Sequence, residues 1–260
     1  MIDYPICDRL KENAAIHCAA LVITKNIVTS GSGMPSFAQP SDELRSGTIT
    51  FVEYKGRVYG VTCWHVIEIY RNYINKSGNN FSHSMRTMLN GFHVILDHFI
   101  RPSSDFGLPK VDIAIREISS KHVNAIGKLP YNLDNDSSVP SEIRHGYAVG
   151  FPEALKRKVN INSSGHQISM PQVEILAEIN RMPDSRFSLN SELPKRPKQD
   201  EYSGMSGGPI FWSTDDNYGI FGIIYEGGIG TELSGGKSVH VYGEKADRQD
   251  IIKWISQVNT

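Results

Sequence analysis

The alternation of apolar and polar positions changes character at about Thr48. Before it, Ile6, Leu10, Ala14, Cys18 and Val22 recur every four residues, the spacing of one face of an amphipathic helix near the N-terminus. Residues 29–47 follow with Ser-Gly-Ser-Gly and two prolines, which read as a loop. From Thr48 the texture is β-type. Thr48-Ile49-Thr50-Phe51-Val52-Glu53-Tyr54, the turn Lys55-Gly56 and Arg57-Val58-Tyr59-Gly60-Val61-Thr62 predict a hairpin. Short runs of the same kind recur at Phe92–Leu96, Val111–Ile118, Gly146–Val149, Val173–Ile179, Pro209–Trp212, Gly219–Tyr225 and Ser238–Tyr242. Many short strands and few long helices predict an all-β barrel or sandwich rather than alternating βα units. Residues 246–255, acidic in the first turn and apolar on one side, predict a closing helix. The polar stretch 183–202 reads as a solvated loop.

Composition narrows the function classes. A chain of 260 residues with 39% hydrophobic and 21% charged residues can bury a substantial core, which excludes a mini-protein and a largely disordered chain. The net charge of −1 gives no electrostatic footprint for nucleic acid or an anionic membrane, so neither is expected as a partner. Cys7, Cys18 and Cys63 cannot all be paired, which points to a reducing compartment. The first residues lack a basic region, and the apolar stretch 14–22 is too short to span a bilayer, so a cytoplasmic protein is expected.

The most informative segment is Tyr202-Ser203-Gly204-Met205-Ser206-Gly207-Gly208-Pro209. A serine hydroxyl becomes a nucleophile only when a base takes its proton and donors stabilise the oxyanion; glycines let the backbone turn sharply and present N–H groups. An α/β-hydrolase elbow is excluded, because β-type runs follow Ser206 and only His240 lies downstream of it. Of nine histidines, His65 stands where the run 58–62 ends and a short helical turn begins, in Thr62-Cys63-Trp64-His65-Val66. Asp112 interrupts the apolar Val111-Asp112-Ile113-Ala114-Ile115, so it either turns to solvent or bonds a donor such as an imidazole N–H. Asp97 and Asp105 are weaker substitutes.

These three segments, in the order His65, Asp112, Ser206, resemble the chymotrypsin-like (trypsin-like) serine peptidases. The resemblance covers roughly residues 46–257. It implies two packed antiparallel six-stranded β-barrels, about 46–125 and 140–245, with a terminal helix at 246–257, and leaves unassigned residues 1–45, which the residue pattern reads as a helix-and-loop extension. It also implies peptide hydrolysis through an acyl-enzyme, with Ser206 as nucleophile, His65 as base, Asp112 orienting the imidazole, and the N–H groups of Gly204 and Ser206 as oxyanion donors. No metal or organic cofactor is needed. Tyr225, Glu226 and Gly227 match the strand that pairs with a polypeptide substrate. Asp200 matches the position that selects Lys or Arg, although the disulfide bracing that loop in secreted members has no cysteines here. Met205 stands where secreted zymogens carry an acidic residue, so that activation route is closed. The intracellular bacterial or viral type, with a regulatory protein partner, fits these departures. A non-catalytic peptide-binding scaffold and an esterase are the competing readings.

Overall fold

A computed structural model of the chain describes residues 6–25, 46–78, 83–89, 92–96, 98–103, 111–135, 138–162, 165–182, 185–192, 202–229 and 238–258. The N-terminal pattern resolves into three pieces rather than one helix. A short helix α1 (Asp8–Asn13) and a 3₁₀ turn (Ala14–His17) are followed by strand β1 (Cys18–Lys25). Every fourth residue of 6–22 is indeed apolar, but Leu21, Val22, Ile23 and Thr24 are largely β-branched, and the strand has a partner on each side. Tertiary pairing overrides the helical spacing, and the first sheet therefore begins at Cys18, inside the stretch expected as a helical extension.

The first lobe then adds β2 (Ser46–Tyr54), β3 (Arg57–Thr62), the helix α2 (Trp64–Ser77), β4 (His83–Leu89), β5 (Phe92–Ile95), β6 (Ala114–Ile118), the short α3 (Ser120–Ala125) and β7 (Tyr131–Asn132). The expected 48–62 hairpin is β2–β3, in register from Thr50↔Val61 to Tyr54↔Arg57. Among the described residues the lobe is a half-barrel sheet in the order β5-β4-β1-β2-β3-β6, with β7 beside β2, and Ile100, just after β5, bridges back to Ile115 of β6 through two hydrogen bonds of 3.0 Å. What was expected as a helical turn at His65 is a 14-residue helix, ended by Gly78 at φ 63°.

The second lobe is a closed six-stranded barrel. It is built from β8 (His145–Gly150), β11 (Val173–Arg181), β12 (Arg186–Glu192), β13 (Pro209–Ser213), β14 (Tyr218–Ile229) and β15 (Ser238–Lys245), ordered β11-β12-β15-β14-β13-β8. A separate hairpin, β9 (Arg157–Asn162) with β10 (Gly165–Ser169), leaves it between β8 and β11. Part of the segment expected as a solvated loop is strand β12. Phe187 and Leu189 alternate inward there and are buried at the barrel centre, a period-2 signal masked by the polar residues between them.

One apolar core joins the lobes. Ile49, Phe51, Leu21 and Ile115 from the first sheet belong to the same buried cluster as Tyr147, Phe211 and Ile220 from the barrel. Each such aromatic or aliphatic side chain contributes about 1.5–3 kcal/mol on burial. The closing helix α4 (Arg248–Val258) begins at Asp247, whose carboxylate accepts from the N–H of Gln249 at 2.9 Å and of Asp250 at 3.1 Å. It buries Ile251, Trp254 and Ile255, and reaches the first lobe through Arg248 Nε to Leu133 O (2.6 Å).

The N-terminal segment braces the two lobes. Cys7 N–H donates to Ser213 Oγ (2.8 Å) and Arg9 to Asp216 O (2.7 Å), both in the barrel, while Leu129 N–H returns to Ile16 O (3.1 Å). His17 is buried at this junction, its ring 5.3 Å from Tyr131 and 6.0 Å from Phe211. Its Nδ1 bonds Leu129 O at 2.9 Å, and its buried Nε2 has no partner. Burial, with a smaller contribution from the Lys128 ammonium, holds the imidazole below its ordinary value despite the Leu129 carbonyl. Because the folded state resists the proton that the unfolded chain accepts, His17 contributes stability above pH ~6.5 that is lost as the pH falls below it. Urea unfolding of the native chain should therefore weaken from pH 7 to pH 5 more steeply than that of His17→Leu; parallel curves would remove this role.

Candidate active site

Strand β3 ends at Thr62, and Cys63 is the residue before α2. No side chain of α2's own sequence caps its first turn. The cap comes from Asp112, which sits in a bend just before β6 and not within a strand as the sequence suggests. Its carbonyl accepts from Trp64 N–H at 3.2 Å, its Oδ1 from His65 N–H at 3.0 Å, and its Oδ2 lies 2.6 Å from His65 Nδ1. One residue thus satisfies two orphan N–H groups of a helix N-terminus and fixes an imidazole. A carboxylate only accepts, so the proton of the neutral ring sits on Nδ1 and leaves the Nε2 lone pair free. The side chains are partly exposed, 39% for His65 and 21% for Asp112.

Ser206 lies in the turn 202–208 that leads into β13. Each carbonyl around it is taken. Ser203 O accepts from Glu153 N–H (2.6 Å), Gly204 O from Thr48 Oγ1 (3.0 Å), Ser206 O from Thr48 N–H (2.8 Å), Gly207 O from Thr50 Oγ1 (2.8 Å) and Gly208 O from Ile224 N–H (2.8 Å). Among the described residues, the N–H groups of Gly204 and Ser206 have no acceptor. Thr48 and Thr50 are fully buried, so the first sheet holds the barrel's loop by hydroxyls. Sequence reading missed them, although the signal was present: threonines two apart in an apolar run put two hydroxyls on one face of β2.

The two halves meet at a cleft of about 380 Å³ lined by His65, Ser203, Ser206, Tyr225, Glu226 and Gly227. The Ser206 hydroxyl donates to Tyr225 O at 2.9 Å, with no bond to the imidazole in this conformation. Tyr225 is the bulge residue of β14 against β15. β13 pairs with β14 only as far as Ile223, and Ile224 is closed by Gly207 N–H and Gly208 O, so among the described residues the edge of β14 from Tyr225 onward has no strand partner on the cleft side. Burial pushes the Tyr225 phenol up. Of the expected site residues, His65, Asp112, Gly204, Ser206, Tyr225, Glu226 and Gly227 come together; Asp200, with Asp97 and Asp105, lies outside the described residues.

Cys63 Sγ, His65 and Asp112 place ligand-type atoms within 4.8 Å of one another. The thiol is fully buried and donates to Ile224 O at 3.0 Å, and burial, reinforced by Asp112, raises its pKa well above the ordinary range. A protonated, already committed thiol does not fit a metal ligand. Cys7, Cys18 and Cys63 are all free and buried. No described helix is long and apolar enough to cross a membrane.

No protein-family profile and no curated relative matches the chain. Solved structures do. A thermostable serine protease, AL20, from an extremophilic microorganism aligns at TM-score 0.52 and 10% identity over 95% of this chain and 98% of its own. The protease Anisep from Arthrobacter nicotinovorans aligns at 0.47 and 12% identity over 95% and 98%. The serine protease domain of the Sesbania mosaic virus polyprotein aligns at 0.39 and 14% over 86% of each chain. The fold is that of the chymotrypsin-like proteases.

Gly207 is where this packing tolerates least. Its φ is +94°, and a Cβ would meet Thr48 O at 1.9 Å and Thr62 Oγ1 at 2.3 Å. Gly207→Ala should cost about 3 kcal/mol or more in chemical denaturation; an unchanged midpoint would mean the clasp between lobes is loose.

Proposed function

We propose that the chain, which has the fold of chymotrypsin-like serine proteases, is itself a serine endopeptidase. The observation that carries this reading is that His65, fixed by Asp112 at 2.6 Å, opens onto the same cleft as Ser206 and its two unpaired backbone N–H groups. An amide carbonyl seated there has an alcohol, a base and oxyanion donors around it.

In this mechanism a peptide pairs with the free edge of β14, its amide N–H replacing the Ser206 hydroxyl on Tyr225 O. Ser206 Oγ, released by rotation about Cα–Cβ, gives its proton to His65 Nε2 as the Cα-side carbonyl carbon is attacked. The oxyanion is bound by the N–H groups of Gly204 and Ser206. Collapse of the tetrahedral species breaks the C–N bond, and the imidazolium protonates the leaving amine. Water, deprotonated by the same imidazole, then hydrolyses the acyl-enzyme. Asp112 keeps the tautomer correct and stabilises the imidazolium throughout.

Ser206→Ala and Asp112→Asn should each lower kcat/KM for peptide hydrolysis by about 10⁴-fold. For Asp112→Asn the amide cannot accept equally from both His65 groups, so the loss should fall on kcat. A chain that binds peptides with equal affinity in native and Ser206→Ala forms, and hydrolyses none, would instead be a non-catalytic binder on this fold.

A further inference from the structure

The free edge of β14 sets one charged side chain against the path of a bound peptide. Glu226 is exposed, lies between Tyr225 and Gly227, and is the only carboxylate among the described residues lining the cleft. It forms no ion pair among the described residues. The neighbouring cation, Arg186, stacks 5.0 Å over the Tyr225 ring and is engaged by the buried carboxylate of Glu244 at 3.5 Å. Among the described residues, Glu226 is therefore left uncompensated at the rim of the site.

The register follows from the contact between Ser206 Oγ and Tyr225 O. The substrate residue whose carbonyl is attacked must lie beside Tyr225. In an antiparallel pair the residue before it lies opposite Glu226, and the one before that opposite Gly227. Directly opposed residues present their side chains on the same face, close enough for opposite charges to attract. We propose that Glu226 selects peptides with Lys or Arg at the second residue before the cleaved bond. This deepens the peptidase reading and rests on it; it is independent of Asp200, which would act on the residue at the cleaved bond itself.

The test is a peptide series carrying Lys, Arg, Gln or Glu at that one position, assayed with native, Glu226→Gln and Glu226→Lys chains. Native kcat/KM should favour Lys and Arg over Glu by about fivefold or more, and the preference should shrink as ionic strength rises. Glu226→Gln should flatten the series, and Glu226→Lys should invert it. An order unchanged between native and Glu226→Lys would overturn the proposal. The same peptides, dye-labelled, are also titrated by fluorescence anisotropy against Ser206→Ala and against Ser206→Ala/Glu226→Lys. That arm reads the charge preference from binding even if no chain hydrolyses peptide, so a failed peptidase reading and a failed Glu226 assignment give different results.

Discussion

Asp112 is held where two demands coincide. The start of α2 presents backbone N–H groups that no residue of the helix caps, and the imidazole of His65 presents another donor beside them. A carboxylate taken partly out of water costs several kcal/mol unless donors surround it; here backbone and side-chain donors converge on one residue in the bend before β6. The cap contributes about 0.5–2 kcal/mol to the helix, and the same contacts fix the ring's orientation. The start of α2 and the orientation of the imidazole therefore depend on one residue.

The other half of the site is held from across the lobes. Thr48 supplies its N–H, hydroxyl and carbonyl: the first two bind Ser206 O and Gly204 O, and the third accepts from Thr62 Oγ1 at 2.7 Å. With the neighbouring carbonyls engaged, the turn around Ser206 is held in place while the N–H groups of Gly204 and Ser206 have no acceptor among the described residues. Buried polar groups of this kind are tolerated only when satisfied. The cleft is in that sense a product of inter-lobe hydrogen bonding laid over a shared apolar core, with the N-terminal segment and α4 each crossing back to fasten the lobes.

Much of this was legible in the sequence because it is local. The glycines around Ser206, the strand-to-helix step at His65 and an Asp stranded among apolar residues are each visible within ten residues, and the structure brings all three segments to one region. What was not legible depended on partners far along the chain. β1 has a helical spacing and becomes a strand because β2 and β4 offer both edges. β12 is too polar to read as a strand, yet its alternate Phe187 and Leu189 fill the barrel. Asp112 looked like a strand residue because the bend that frees its carboxylate is set by contacts with α2.

The assignment of Ser206 as an activated nucleophile is tested most directly by a fluorophosphonate probe followed by peptide mass spectrometry of the native chain, His65→Ala and the denatured protein. The expected result is one phosphonyl adduct, on Ser206 of the folded native chain, strongly reduced in His65→Ala and absent after denaturation. A folded native chain with no adduct on Ser206, or with labelling that is indifferent to His65, would contradict it.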